Sequence, residues 1–208
     1  TPVISSAASD VYKRQVFILL QDQKNNFMDT KYFKKIRIFD GGMGQELLSK
    51  GLISKGTLWS ASALIEKKFH KLVIDAHISY INAGADIIVT NNFSARKIRF
   101  IQNKVLDKFQ YANEQAGILA NKAREISKQN ILIAGSLPSQ SDTYVEDERS
   151  SSEIQSDFEE QAKIISPYVD FFYLDVVSSG REIEIASNQT NKQAYWQIKL
   201  ERFLNKIY

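Results

Sequence analysis

The chain has 208 residues, 43% hydrophobic and 25% charged, with a formal net charge of +3 and no cysteine. That length supports one domain with a sizeable core, and the absent cysteines exclude a disulfide framework, a Cys-ligated metal and a Cys nucleophile within this sequence. The lysines form no dense basic stripe with interleaved aromatics, so nucleic acid is not an expected partner, and no apolar run approaches the ~20 residues that span a bilayer.

Residues 1–15 are polar and without a clear period, and are read as a tail, disordered or foreign, outside the fold. Val16 to Phe33 is ambiguous, either a short helix or an irregular cover for the first strand, so that tail and lead-in together occupy residues 1–35. Val16 to Leu20 follows Lys13 and Arg14 but falls short of the ~7–15 residues of a signal h-region, so a cytoplasmic location is the expectation.

Ile36-Arg37-Ile38-Phe39-Asp40 then reads as a short buried strand that runs into Gly41-Gly42-Met43-Gly44. Glycines there let the backbone take a positive φ or approach a ligand closely. Asp40 stands at the last strand position, where a parallel α/β fold aims functional side chains. Two readings stay open at this point: a carboxylate that holds a small cation, or one that caps the next helix. Glu46 to Lys50 favours that helix and Gly51 stops it. Leu52 to Thr57 is a loop, followed by Leu58 to Leu64, in which Trp59 is read as a loop anchor near the strand mouths.

From Phe69 to Ala83, Val73, Ala76, His77, Tyr80 and Ile81 recur at helical spacing, and Gly84 ends the run. His70 and His77 are the only histidines. Zinc on a helix favours i, i+4 spacing, which they lack, so a structural or solvated role is the reading for both. Asp86 to Phe93 holds the second strand, expected over about 86–91, rich in β-branched residues and ending in the polar Thr90, Asn91 and Asn92. A helix is expected over about 107–128, a third strand over 131–136, an acidic loop over 142–152, and a helix over 153–166 closed by Pro167. The fourth strand, 170–176, again carries a carboxylate near its end, Asp175, and a last helix covers about 180–188.

This is a β-α unit repeated four times, and right-handed crossovers of that kind build a parallel sheet. The polar tips Asp40, Asn91, Ser136 and Asp175 all fall at C-terminal strand ends, as a (β/α)8 barrel site requires. The expected fold is therefore α/β, of the (β/α)8 TIM barrel type, present as about the first four units, a half-barrel over residues 36–190 with an off-pattern end at 191–208. An open doubly wound sheet is the alternative, but the first turn lacks Gly-x-Gly-x-x-Gly.

Asp40-Gly41-Gly42-Met43-Gly44, Leu58-Trp59-Ser60-Ala61, Ala83-Gly84-Ala85-Asp86-Ile87-Ile88-Val89-Thr90-Asn91, Ala134-Gly135-Ser136-Leu137-Pro138 and Leu174-Asp175-Val176-Val177-Ser178-Ser179 follow in that order. Together they resemble the N-terminal half of the homocysteine S-methyltransferase family, zinc-dependent barrel enzymes, over about Ile36 to Ala186. The resemblance implies a homocysteine pocket at the barrel mouth, with Asp40 and Asp175 on the substrate's amino group and Thr90 and Asn91 lining the same pocket. It also implies Zn2+ and a methyl donor, with zinc lowering the pKa of the homocysteine thiol.

Departures accompany the resemblance. The family has Glu-Thr where this chain has Asp175-Val176, one methylene shorter, and Gln45 and Asn92 replace expected hydroxyl residues. The family's three cysteine ligands lie in the second half of the barrel, and this chain has none. Two functions follow as expectations. One is a homocysteine methyltransferase present as a fragment, inactive alone and with no catalytic residue of its own to name. The other is a non-catalytic half-barrel that binds a small amino acid or a partner chain, self-association through exposed sheet edges included. An acid/base pair of Asp40 and Asp175 in some other barrel enzyme is the weaker third.

Overall fold

In the computed structural model the backbone is described for residues 18–20 and 30–193, and side chains for 31–187. The tail at 1–15 and the helical end expected around Trp196, Leu200 and Phe203 lie outside the described residues. The elements are β1 (Ile18–Leu20), α1 (Met43–Ser49), α2 (Ser62–Ile65), α3 (His70–Asn82), β2 (Ile87–Val89), α4 (Lys97–Gln102), α5 (Phe109–Ser127), β3 (Leu132–Pro138), α6 (Ser151–Ile165), β4 (Phe171–Asp175) and α7 (Gly180–Gln193). Short 3-10 turns lie at Thr30–Lys34 and Gly56–Ala61.

The expected helices form where periodicity placed them. α3 buries Val73, Ala76, His77 and Ile81, and α5 buries Phe109, Ala112, Ala116, Leu119, Ala120 and Ala123. α6 starts on a capping box: Ser150 accepts from the Glu153 amide while the Glu153 carboxylate accepts from the Ser150 amide. The lead-in resolves in part into β1 and the 3-10 turn at Thr30–Lys34.

The sheet order is β1-β4-β3-β2. β2, β3 and β4 pair in parallel, with Ile88 opposite Ile133 and Ser136 opposite Tyr173. β1 adds antiparallel to β4 at the far edge. Beyond β2 the expected strand over 36–40 is reduced to one parallel bridge, Phe39 with Ile87. The Asp86 and Ile87 amides donate to the Ile38 carbonyl, and the Asp40 amide donates to the Ile87 carbonyl. The segment is thus held from one side, and Ile36 and Ile38, read from the sequence as buried, are 94% and 57% exposed. A strand buries both faces only when neighbours flank and cover it, and among the described residues this one has a single partner.

The described helices cover one face of the sheet. The large core joins Leu47, Leu64, Val73, Ile88, Leu119, Ile133, Phe158 and Leu174. The opposite face carries a small cluster of Ile87, Ala134 and Phe171, packed by Tyr32, Phe33, Phe39 and Tyr173. The alternation of Ile87 and Ile88 between these two clusters is the strand period made visible. The observed architecture is mixed α/β, with three parallel strands in chain order and helices gathered on one side.

Candidate functional site

The C-terminal ends of the parallel segments open into a cavity of about 680 Å³, lined among others by Asp40, Trp59, Thr90, Asn91, Arg96 and Asp175. All four site residues expected from the sequence therefore meet in one place.

Asp40 is held by the neighbouring strand: its Oδ2 accepts the Val89 amide at 2.9 Å. It does not cap α1, whose N-cap is Gly42. Its side chain is 3% exposed. Burial pushes its pKa up to about 8, with the nearby Asp175 charge acting in the same direction and the Val89 amide opposing. Asp175, half-buried at the end of β4, accepts from the Ser136 hydroxyl at 2.8 Å. Burial raises it to about 6, against the pull of that hydroxyl and of the Arg96 charge. No lysine or arginine nitrogen lies within 4.0 Å of either carboxylate among the described residues. The two carboxyls thus stand at the cavity without a directly paired cation, Arg96 acting on Asp175 from farther away.

Thr90 and Asn91 line the wall with their hydrogen bonds already committed. The Thr90 hydroxyl donates to Asn92 Oδ1 at 2.6 Å and accepts the Ser136 amide at 3.0 Å. Asn91 Nδ2 donates to the Ser60 carbonyl at 3.2 Å. Behind them Asn92, Asn113, Gln140 and Gln161 form a buried amide network that braces the strand ends.

The glycine turn works differently from either sequence reading. Gly41 and Gly44 do not use positive φ; the glycines that do are Gly51, Gly56 and Gly84. A Cβ on Gly41 would stand 2.8 Å from the Tyr80 ring, and one on Gly44 would fall inside the Trp59 ring's contact radius. The turn is side-chain-free so that aromatic rings can close over it. Trp59 pays for its position with φ 46 and ψ −121, and Val176, directly after Asp175, holds φ 53. For a β-branched residue that is a strained conformation, and it sits at the cavity wall.

Sequence reasoning missed three contributors. His77 is 0% exposed with neither ring nitrogen hydrogen-bonded among the described residues, and its Nδ1 lies 3.9 Å from Asp40 Oδ2. Burial pushes its pKa down to about 3, so at neutral pH it faces Asp40 uncharged. Its helical period marked it as core, and only the packing of α3 brings it to the carboxyl. Arg96 and Arg99, just beyond β2, also line the cavity; the signal available for them was two cations following a polar strand tip. His70, by contrast, is structural as read: its Nε2 is 2.9 Å from the Leu64 carbonyl.

No group of three His, Cys, Asp or Glu side chains converges among the described residues, and the chain offers no thiolate. The donor set here does not fit a zinc centre.

The homocysteine S-methyltransferase family model matches residues 37–203. The chain is 33% identical over 113 residues to homocysteine S-methyltransferase of Escherichia coli (strain K12), covering 49% of this chain and 34% of that one. It is 33% identical over 90 residues to homocysteine S-methyltransferase 2 of Zea mays, covering 43% of this chain and 24% of that one. The matched segments span about a third or less of these relatives' lengths. The fold superposes on that of the homocysteine methyltransferase MmuM from Escherichia coli in its metallated form, with a TM-score of 0.68 at 23% identity, over 79% of this chain and 62% of that one. With the family model matching most of its length and the expected site residues gathered at one set of strand ends, this chain belongs to the homocysteine S-methyltransferase family.

Proposed function

We propose that this chain is the amino-acid-binding half of a (β/α)8 methyltransferase barrel, and that Asp40 and Asp175 hold the ammonium group of homocysteine. Parallel segments in chain order and helices on one face support the half-barrel reading. The observation that carries the binding assignment is the pair of carboxylates, contributed by the first and last parallel segments, in one cavity with no cation beside either. An ammonium placed between them supplies the missing charge, and each charge-assisted hydrogen bond contributes about 1.5–3 kcal/mol. Thr90 and Asn91 act as a rigid wall rather than as free donors. The methyl acceptor is the homocysteine thiol, and the cysteine ligands of an activating zinc would come from sequence outside these 208 residues.

Homocysteine binding is the direct test. Titration of the 208-residue chain, followed by NMR, is expected to show weak binding that Asp40→Ala abolishes. Zinc content and methionine formation are then measured for this chain and for the chain joined to a cysteine-bearing second half. The joined protein is expected to bind zinc and transfer methyl groups, and the 208-residue chain to do neither. Methionine formation by the 208-residue chain would overturn the assignment. Self-association through the 36–39 edge, where Ile36 and Ile38 stand exposed, is part of the same reading, and a monodisperse monomer by light scattering would count against it.

A further inference from the structure

The geometry points to a second, oppositely charged subsite in the same cavity: we propose that Arg96 receives the α-carboxylate of the amino-acid ligand. This rests on the reading of the cavity as an amino-acid pocket, and it adds what selects an amino acid over a simple amine.

Arg96 is a buried cation with no carboxylate oxygen within 4.0 Å among the described residues; the charges of Asp142, Glu182 and Asp175 act on it only from farther away. It is 2% exposed. Its Nη1 donates to the carbonyls of Ser139 and Ser141, and its Nη2 to the Thr143 hydroxyl at 3.4 Å. All three acceptors are neutral, and its Nε is buried with no partner among the described residues. Other arginines are neutralised directly: Arg37 by Asp86 at 3.5 Å, Arg99 by Asp142 at 3.3 Å, Arg124 by Asp170 at 2.8 Å and Arg149 by Asp147 at 2.7 Å. Arg181 also bonds to neutral acceptors, but it is only half-buried and does not line the cavity. A buried charge is costly unless paired. Arg96 carries that cost at the wall of a cavity whose other pole is two carboxylates.

The ligand that resolves both imbalances carries both charges close together. In an α-amino acid the ammonium and carboxylate are attached to one carbon. With the ammonium between Asp40 and Asp175, a carboxylate on the Arg96 side of the cavity completes the charge pairing, and a guanidinium is shaped to receive it. The Phe93 ring, 5.4 Å from the guanidinium carbon, helps to fix the side chain in place. An amine without a carboxylate leaves Arg96 unpaired, and a site with an unpaired buried group discriminates against such a ligand.

The test compares homocysteine with 3-aminopropane-1-thiol, the same molecule without its carboxylate, by NMR titration of the 208-residue chain at millimolar ligand. Homocysteine is expected to bind at least about tenfold more tightly. Arg96→Met is expected to remove that preference by weakening homocysteine alone, and Arg96→Lys to keep part of it. Equal affinity of the unaltered chain for the two ligands overturns the carboxylate subsite and leaves the ammonium site standing. Binding of neither ligand overturns both. Equal weakening of both ligands in a folded Arg96→Met protein makes Arg96 a clamp for the Ser139–Thr143 loop and overturns the subsite. Should that variant fail to fold, Arg96→Lys decides the question: a reduced preference is expected, and a preference as large as that of the unaltered chain overturns the subsite at Arg96.

Discussion

The two ends of the sheet use the same side chain in opposite ways. At the base, Asp86 accepts the Ile38 amide at 2.9 Å and pairs with Arg37, and Asp170 accepts the Ile133 amide at 2.7 Å and pairs with Arg124. Each base carboxylate ties one strand to the one before it, and an arginine neutralises it. At the mouth, Asp40 and Asp175 also brace neighbouring segments, through the Val89 amide and the Ser136 hydroxyl. There no cation follows, and both pKa values are pushed up, to about 8 and about 6. A neutralised carboxylate stabilises the fold, whereas one left without a directly paired counter-charge carries an uncompensated cost, and the proposed function assigns the ligand's ammonium to that position.

The comparison breaks most visibly with pH. The Asp40 pKa is raised on folding, so its contribution to stability is fully present below its unfolded value near 3.8 and is lost as pH rises through about 8. Asp40→Asn is therefore expected to match the unaltered chain near pH 4 and to exceed it at pH 8.5, by an amount on the order of several kcal/mol. Urea unfolding at the two pH values measures this, and a variant less stable at pH 8.5 would contradict the uncompensated mouth. His77 has the opposite sign. Its pKa is lowered to about 3, so its contribution is present above about 6.5 and is lost as pH falls. The difference between variant and unaltered chain isolates Asp40 from it.

At the base the expected sign reverses at neutral pH. Asp170→Ala leaves the Ile133 amide and Arg124 without their partner and should destabilise by about 1–3 kcal/mol, with no effect on the ligand preference of the mouth. Gly44→Ala is expected to cost a similar or smaller amount, about 1–3 kcal/mol, because the new methyl meets the Trp59 ring. Thermal melts rank these two substitutions.

The last effect concerns the ligand. Ammonium binding favours ionised carboxylates, so homocysteine affinity should rise between pH 6 and pH 8 as Asp175 and then Asp40 lose their protons. The rise is bounded at about tenfold per pH unit per proton released. Titrations at both pH values check it, and a flat profile would mean that the mouth does not hold an ammonium.

Local rules carried the reading of the helices. The apolar spacing in α3, α5 and α6 is a property of nearby residues, and so are the Gly51 stop and the strand tips. Asp40, Thr90, Asn91 and Asp175 were legible because strand ends in a parallel α/β chain are positions countable along the sequence. The segment 36–40 shows where such counting stops. Its composition is that of a buried strand, yet burial depends on neighbours that composition does not contain.

The sequence by itself determined the family, the order of the β-α units and the carboxylates at their tips, since each is written in residue type and spacing. Only the tertiary structure decided which of those carboxylates are neutralised. It alone brought His77 to within 3.9 Å of Asp40, folded aromatic rings over the glycine turn, and buried Arg96 with no carboxylate in direct contact among the described residues. The physical reason is the range of the interactions. Propensity and periodicity act over a few residues, whereas desolvation and charge pairing depend on groups that are far apart in the chain and close only once it has folded.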